Sequence, residues 1–211
     1  RILLYIAAVV LPVVLATFLG AETGGFVFEL GKNAALMAFV IIILQVVIAV
    51  RIKWIERAFG FDILIRYHKH MAVFAGALLV AHPLLLAAGG GGLRLLIGLD
   101  LPWYIWLGKA ALVLVLVNVV VSAFQTKLNV KFEQWRLGHD VIGPLIIVMA
   151  FTHSWIVGDD LKLGVIQALW TAGLVLAAAL FLYHGFIRPG RLKRRSYAVI
   201  DVQPEAENVW T

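Results

Sequence analysis

The amino-acid sequence predicts an all-α membrane protein, a bundle of six transmembrane helices. Composition is the first observation: of 211 residues, 63% are hydrophobic and 14% charged, against the roughly one-quarter charged share of soluble domains. Second, the apolar residues fall in six runs, each near or above the ~20 residues a helix needs to cross a ~30 Å hydrocarbon layer. Third, Lys and Arg gather in alternate connections, as in a chain threaded back and forth through a bilayer. The net charge of +6 therefore reports membrane orientation and not a nucleic-acid surface, because the basic residues sit at the ends of the apolar runs. With no cysteine in the chain, disulfides, thiolate ligation and iron–sulfur clusters are excluded within it.

The first run, Ile2–Leu19, lacks a small-residue cleavage site and is followed by further spans, so it is read as a retained helix. The others are Gly31–Val50, Ile63–Leu86, Pro102–Phe124, Trp135–Val157 and Gly164–Ile187. Gly89-Gly90-Gly91-Gly92 reads as a loose loop after the third span, and Trp103, Trp106 and Trp155 as interfacial anchors. Beyond Arg195 the pattern changes to a β-branched strand, Ser196–Val202, a turn at Gln203-Pro204-Glu205, and a second strand at Asn208-Val209-Trp210. So short an edge does not stand alone in water. The expectation is a membrane domain over 1–195 and, over 196–211, the start of a cytoplasmic domain that is otherwise missing; Arg1 in place of Met points to trimming at the other end too.

Arg51, Lys53, Arg57, Arg66 and Lys69 crowd the second connection, Lys127, Lys131 and Arg136 the fourth, and Arg188, Arg191, Lys193, Arg194 and Arg195 the tail. Only Lys32, Arg94, Lys109 and Lys162 fall on the other side. The positive-inside rule then places both termini in the cytoplasm, of a bacterial inner membrane if the compactness of the chain is a guide.

Within the third span His68 and His82 stand fourteen residues apart, and within the fifth so do His139 and His153. Fourteen steps make almost four turns of helix, so each pair shares a face about 21 Å apart along the axis. That is too far for one metal ion and suits two cofactors stacked through the membrane. Both spans run from inside to outside, so like depth pairs with like: His68 with His139 for an inner haem, His82 with His153 for an outer one.

Phe59-Gly60-Phe61-Asp62, Tyr67-His68-Lys69-His70, His82-Pro83, Trp135-Arg136-Leu137-Gly138-His139-Asp140 and His153-Ser154 together resemble the transmembrane component of the ferric reductase and NADPH oxidase family. The resemblance implies six helices holding two b-type haems through two histidines on each of the third and fifth. It also implies that Tyr197–Val202 and Asn208–Thr211 open a β-barrel flavin domain. Electrons would then pass from NADPH to FAD, the inner haem, the outer haem and an acceptor across the membrane. Oxygen, giving superoxide, is the leading acceptor; a ferric chelate, or a separate periplasmic redox partner, is the alternative. A cofactor-free transporter or structural bundle is the reading from a different class. No residue is expected to act by acid–base catalysis.

The haem propionates need cations near a membrane face, and Arg66, Lys69 and Arg136 are candidates on the inner side, Arg94 and Lys109 on the outer. Asp140 is placed to accept an imidazole N–H or simply to solvate the helix start. Gly76, Gly138 and Gly143 either admit a flat macrocycle or serve close helix packing. His70 and His184 read as inner-surface residues, and Phe74 either fills the gap between the two centres or packs elsewhere.

Overall fold

The computed structural model describes residues 2–20, 24–194, 201–206 and 209–210. Arg1, Arg195, the part of the expected strand over 196–200, Asn208 and Thr211 lie outside them. Among the described residues six helices are long and apolar enough to cross a membrane, and they fall where the apolar runs are. Helix α1 is Ile2–Leu19, as expected, and α2 is Phe26–Ala49, which begins earlier than Gly31. The extra turn carries Glu29, and the charged pair Glu29 and Lys32 neutralise each other there (Nζ–Oε2 2.9 Å) instead of ending the span.

A short helix, α3 (Lys53–Phe59), follows and was not anticipated, being too short and too polar to register as a span. It is set off by Arg51, whose positive φ of 53° reverses the chain and whose guanidinium pairs with Glu56 at 2.6 Å and lies over the Phe61 ring. Helix α4, Phe61–Leu86, starts after Gly60 at φ 77°.

The tetraglycine is not a loose loop. Ala87–Gly91 carries α4 to a kink at Gly90, where the backbone leaves helical geometry, and α5, Gly92–Ile97, follows at once. Gly90 and Gly92 take φ of 127° and 67°, which a side chain would resist, so the glycines bend the helix instead of loosening it. Gly89 also lies so close to α2 that an added Cβ would fall 2.5 Å from the Phe28 nitrogen.

Helices α6 (Trp103–Phe124), α7 (Phe132–Val157) and α8 (Gly164–Leu182) complete the spans, with a 3-10 turn at Asp159–Lys162 between the last two. A π turn, Tyr183–Ile187, carries α8 into α9, Arg188–Arg194. Strands β1 (Pro204–Ala206) and β2 (Val209–Trp210) pair antiparallel. Pro204 and Glu205, expected in the turn, lie in β1. The Asp201 carboxylate instead accepts from the Val202 N–H and the Gln203 amide, holding 201–203 out of the ladder.

Helix α2 is the centre of the bundle: Ala34, Leu36, Ala38, Phe39, Ile41 and Ile43 are buried on it, while the other spans turn Val113, Val141, Val148 and Val175 outward. In lipid, apolar burial by itself does not drive helices together, so packing and small residues decide. Gly31 shows this, since a Cβ there would meet Leu85 at 3.0 Å. On the far side of α2, Phe39 stacks on Trp170 (4.8 Å, 19°), whose indole N–H donates to Ser154 and so ties α8 to both α2 and α7.

A charged link closes the end where α2 starts and α7 stops. Lys32 reaches Asp160 of the 3-10 turn at 3.1 Å, and the two side chains are only 13% and 6% exposed. Lys32→Met should destabilise the bundle by about 3 kcal/mol or more, because it leaves two carboxylates facing each other without their cation. Asp160→Asn, which leaves Lys32 with Glu29, should cost less. Thermal unfolding in detergent ranks the two, and an equal loss would show that the triad does not act as a unit.

Candidate metal centres

Helices α4 and α7 have the same length, and each carries its histidines at the same two distances from its start. The bundle places them face to face without close packing: α4 lies along α2, and α7 along α6. His68 and His139 meet at the amino-terminal rung with ring centres 6.2 Å apart and planes at 63°. Two metal–nitrogen bonds of about 2 Å plus the two ring half-widths come to roughly 6 Å, so this is the separation that two imidazoles on one ion require. His82 and His153 form the carboxy-terminal rung, within electrostatic reach of each other.

The backing helices fix the rings. His82 donates its Nδ1–H to the Gly31 carbonyl of α2 at 2.9 Å, and His153 donates to the Tyr104 carbonyl of α6 at 2.7 Å. His139 donates to Oδ1 of Asn118, also on α6, at 3.0 Å. A hydrogen on Nδ1 leaves the lone pair on Nε2, so these three rings are held in the tautomer that binds metal through Nε2. Asn118, and not Asp140, is thus the acceptor for His139. His68 differs, for its buried Nδ1 has no partner.

Glycines set the remaining space. Gly108 was not singled out from the sequence, yet a Cβ on it would stand 2.7 Å from the His153 ring, so only glycine lets that ring lie against α6. Gly76, Gly138 and Gly143 have the opposite surroundings: a Cβ on any of them meets nothing within 4 Å, and Gly76 is nevertheless buried. They border open space and not a packed helix interface. Among the described residues no three His, Cys, Asp or Glu side chains come together as a metal site. A pair of imidazoles falls short of the usual four or more ligands, so the donor set suits a metal that brings equatorial ligands of its own, as iron in a porphyrin does.

Residues 34–150 match the sequence model of the ferric reductase like transmembrane component. The chain belongs to that family. The match takes in His68, His82 and His139 and stops just before His153. No curated protein and no solved structure matches the chain. Family membership makes this ferric-reductase-like component an oxidoreductase element that carries electrons across a membrane.

The other candidate residues of the ferric-reductase-like component divide by side. Arg66, Lys69 and Arg136 are exposed near the amino-terminal rung. Arg94 pairs with Asp100, while Lys109 donates to the Leu96 carbonyl at 2.9 Å and lies over the Trp106 ring. His70 turns back on its own helix to the Arg66 carbonyl, and His184 accepts from Arg188 at 3.5 Å. Phe74 is 45% exposed. Trp135, which starts the fifth apolar run and opens the Trp135–Asp140 motif, donates its indole N–H to Ser122, and its ring lies 5.5 Å from that of His139. Trp103, Trp106 and Trp155 are each 40% exposed or more, as interfacial anchors would be.

In the cofactor-free protein, Gly108→Ala should push the His153 ring off the Tyr104 carbonyl, whereas Gly143→Ala should leave both rungs in place. Nitrogen NMR of labelled histidines reads the difference as loss of the Nδ1-protonated signal of His153 in the first variant alone. The same spectrum for both would mean that the close approach is not what holds the ring.

Proposed function

We propose that this chain carries single electrons from a cytoplasmic NADPH and FAD donor to an acceptor on the outer face, with oxygen reduced to superoxide. His68 and His139 would hold an inner haem b, and His82 and His153 an outer one. The observation that carries this is the facing pair His68 and His139 with a second pair, His82 and His153, within electrostatic reach of each other, three of the four rings being fixed with Nε2 free. Haem iron held by these imidazoles would supply a one-electron ferric/ferrous couple at each depth. The chain's own part is to keep each imidazole neutral and oriented, and to hold the two sites at separate depths in an apolar medium.

The distribution of Lys and Arg supports an orientation with both termini inside. Arg66, Lys69 and Arg136 would then face the cytoplasm, free to meet inner propionates and the donor. The β1–β2 pair supports a flavin-binding barrel as the neighbouring domain, in the same chain or as a partner. On the outer side, every candidate cation is already engaged: Lys32 with Glu29 and Asp160, Arg94 with Asp100, Lys162 with Asp159, and Lys109 with main-chain carbonyls. Hydrogen bonds from Arg94 and Lys162 hold the Asp100 and Asp159 carboxyls below their ordinary range, so these pairs persist in mild acid. A face with its cations neutralised has little to draw an anionic ferric chelate, and this favours a small neutral acceptor. Arg94 and Lys109 would have to exchange partners to serve an outer propionate.

The purified protein should show a Soret band and split α/β bands for two haems. His82→Leu should lose the outer haem alone and keep a reducible inner one. No haem bands in the wild type would remove the redox reading, and loss of neither haem in the variant would show the pairing to be wrong. With the flavin domain supplied, NADPH oxidation should generate a cytochrome c reduction that superoxide dismutase abolishes. Reduction of ferric citrate that the dismutase leaves untouched would make iron the acceptor.

A further inference from the structure

The supports behind the four imidazoles follow a pattern of their own. Gly31 and Gln45 on α2, and Tyr104 and Asn118 on α6, are fourteen residues apart, the spacing of the histidines they face. At the carboxy-terminal rung both supports are main-chain carbonyls, of Gly31 and Tyr104. At the amino-terminal rung the support on α6 is a side-chain amide, that of Asn118. The matching position on α2 is also an amide residue, Gln45.

Gln45 is only 9% exposed, and neither its amide oxygen nor its amide nitrogen has a hydrogen-bond partner. Its own main-chain carbonyl approaches the His68 ring as an acceptor, yet Nδ1, likewise buried, makes no hydrogen bond of good geometry with it. Among the described residues, the buried side-chain polar atoms without a partner are these three and the Tyr5 hydroxyl. A buried N–H and a buried amide oxygen are each costly to leave unmade, and more so in a membrane, where no bulk water can satisfy them. Here the donor and the acceptor that lack each other sit on adjoining helices at one depth.

We propose that the side-chain amide oxygen of Gln45 is the acceptor for the Nδ1–H of His68, so that Gln45 is the counterpart of Asn118 and a positioning residue of the inner centre. A change of side-chain rotamer on α2 makes this bond, and the His68 lone pair is then fixed on Nε2 like the other three. The proposal rests on reading His68 and His139 as the axial ligands of the inner haem. It also separates the two centres chemically: the outer imidazoles donate to main-chain carbonyls that cannot rotate, while the inner ones donate to side-chain amides that can. An N–H···O bond behind an axial imidazole raises the basicity of the ligating nitrogen and favours the ferric state.

Redox titration and electron paramagnetic resonance of the haem-loaded protein test this in Gln45→Leu and Gln45→Glu. Loss of the acceptor in the leucine variant should weaken the ferric state of the inner centre about tenfold, a rise of about 59 mV for a one-electron couple. A carboxylate, a stronger acceptor, should move the same centre the other way, and the outer centre should stay unchanged in both. No shift in either variant, or a shift in the same direction in both, would overturn the proposal. In the first case the main-chain carbonyl of Gln45 suffices; in the second the change only disturbs packing. Nitrogen NMR of the haem-free protein is the independent arm: the His68 ring should be Nδ1-protonated in the wild type and a mixture of tautomers in Gln45→Leu. A wild type without haem signals would defeat the haem reading while this arm still decided the role of Gln45.

Discussion

The structure depends on a requirement of imidazole in lipid. A neutral histidine ring has one N–H and one lone pair, and in the hydrocarbon layer no water is at hand to take the N–H. Each histidine-bearing helix must therefore have a second helix behind it that offers an acceptor at the right height. Helix α2 does this for α4 and α6 does it for α7, which is why the bundle is built of two backed pairs and not of a ring of equivalent helices. The face left between α4 and α7 is the one that does not close.

Glycine makes those approaches possible at two places. Gly31 lets α2 lie against Leu85 of α4, which brings its own carbonyl to His82, and Gly108 lets the His153 ring lie on α6 beside the Tyr104 carbonyl. Small residues usually serve to bring helices together in membranes. Here they also bring a main-chain acceptor to a side-chain donor, so packing and ring orientation become one constraint.

Charge is handled differently at the two ends. Where α2 starts and α7 stops, Lys32, Glu29 and Asp160 form a network largely withdrawn from solvent, and the other cations of that side are engaged as well. At the opposite end Arg66, Lys69 and Arg136 are exposed. One face of the molecule is electrostatically closed and the other open to anionic groups.

By itself, the sequence determined the class, the number of spans and the equal histidine spacing on two of them, because these follow from run length and helical period, which are local quantities. It also carried the family, through residues such as Tyr67-His68 and Trp135–Asp140. What it did not show were α3, the kinked tetraglycine turn and the strand at Pro204, since a short amphipathic helix and a glycine bend leave no run of apolar residues to count. Nor did it show the acceptors. Asp140 is next to His139 in the chain, yet Asn118, twenty-one residues away, accepts its N–H; Gly31 and Tyr104 serve through carbonyls that every residue possesses. Those partners belong to neighbouring helices, and only the register at which the helices pack decides which carbonyl, amide or bare glycine stands behind each ring.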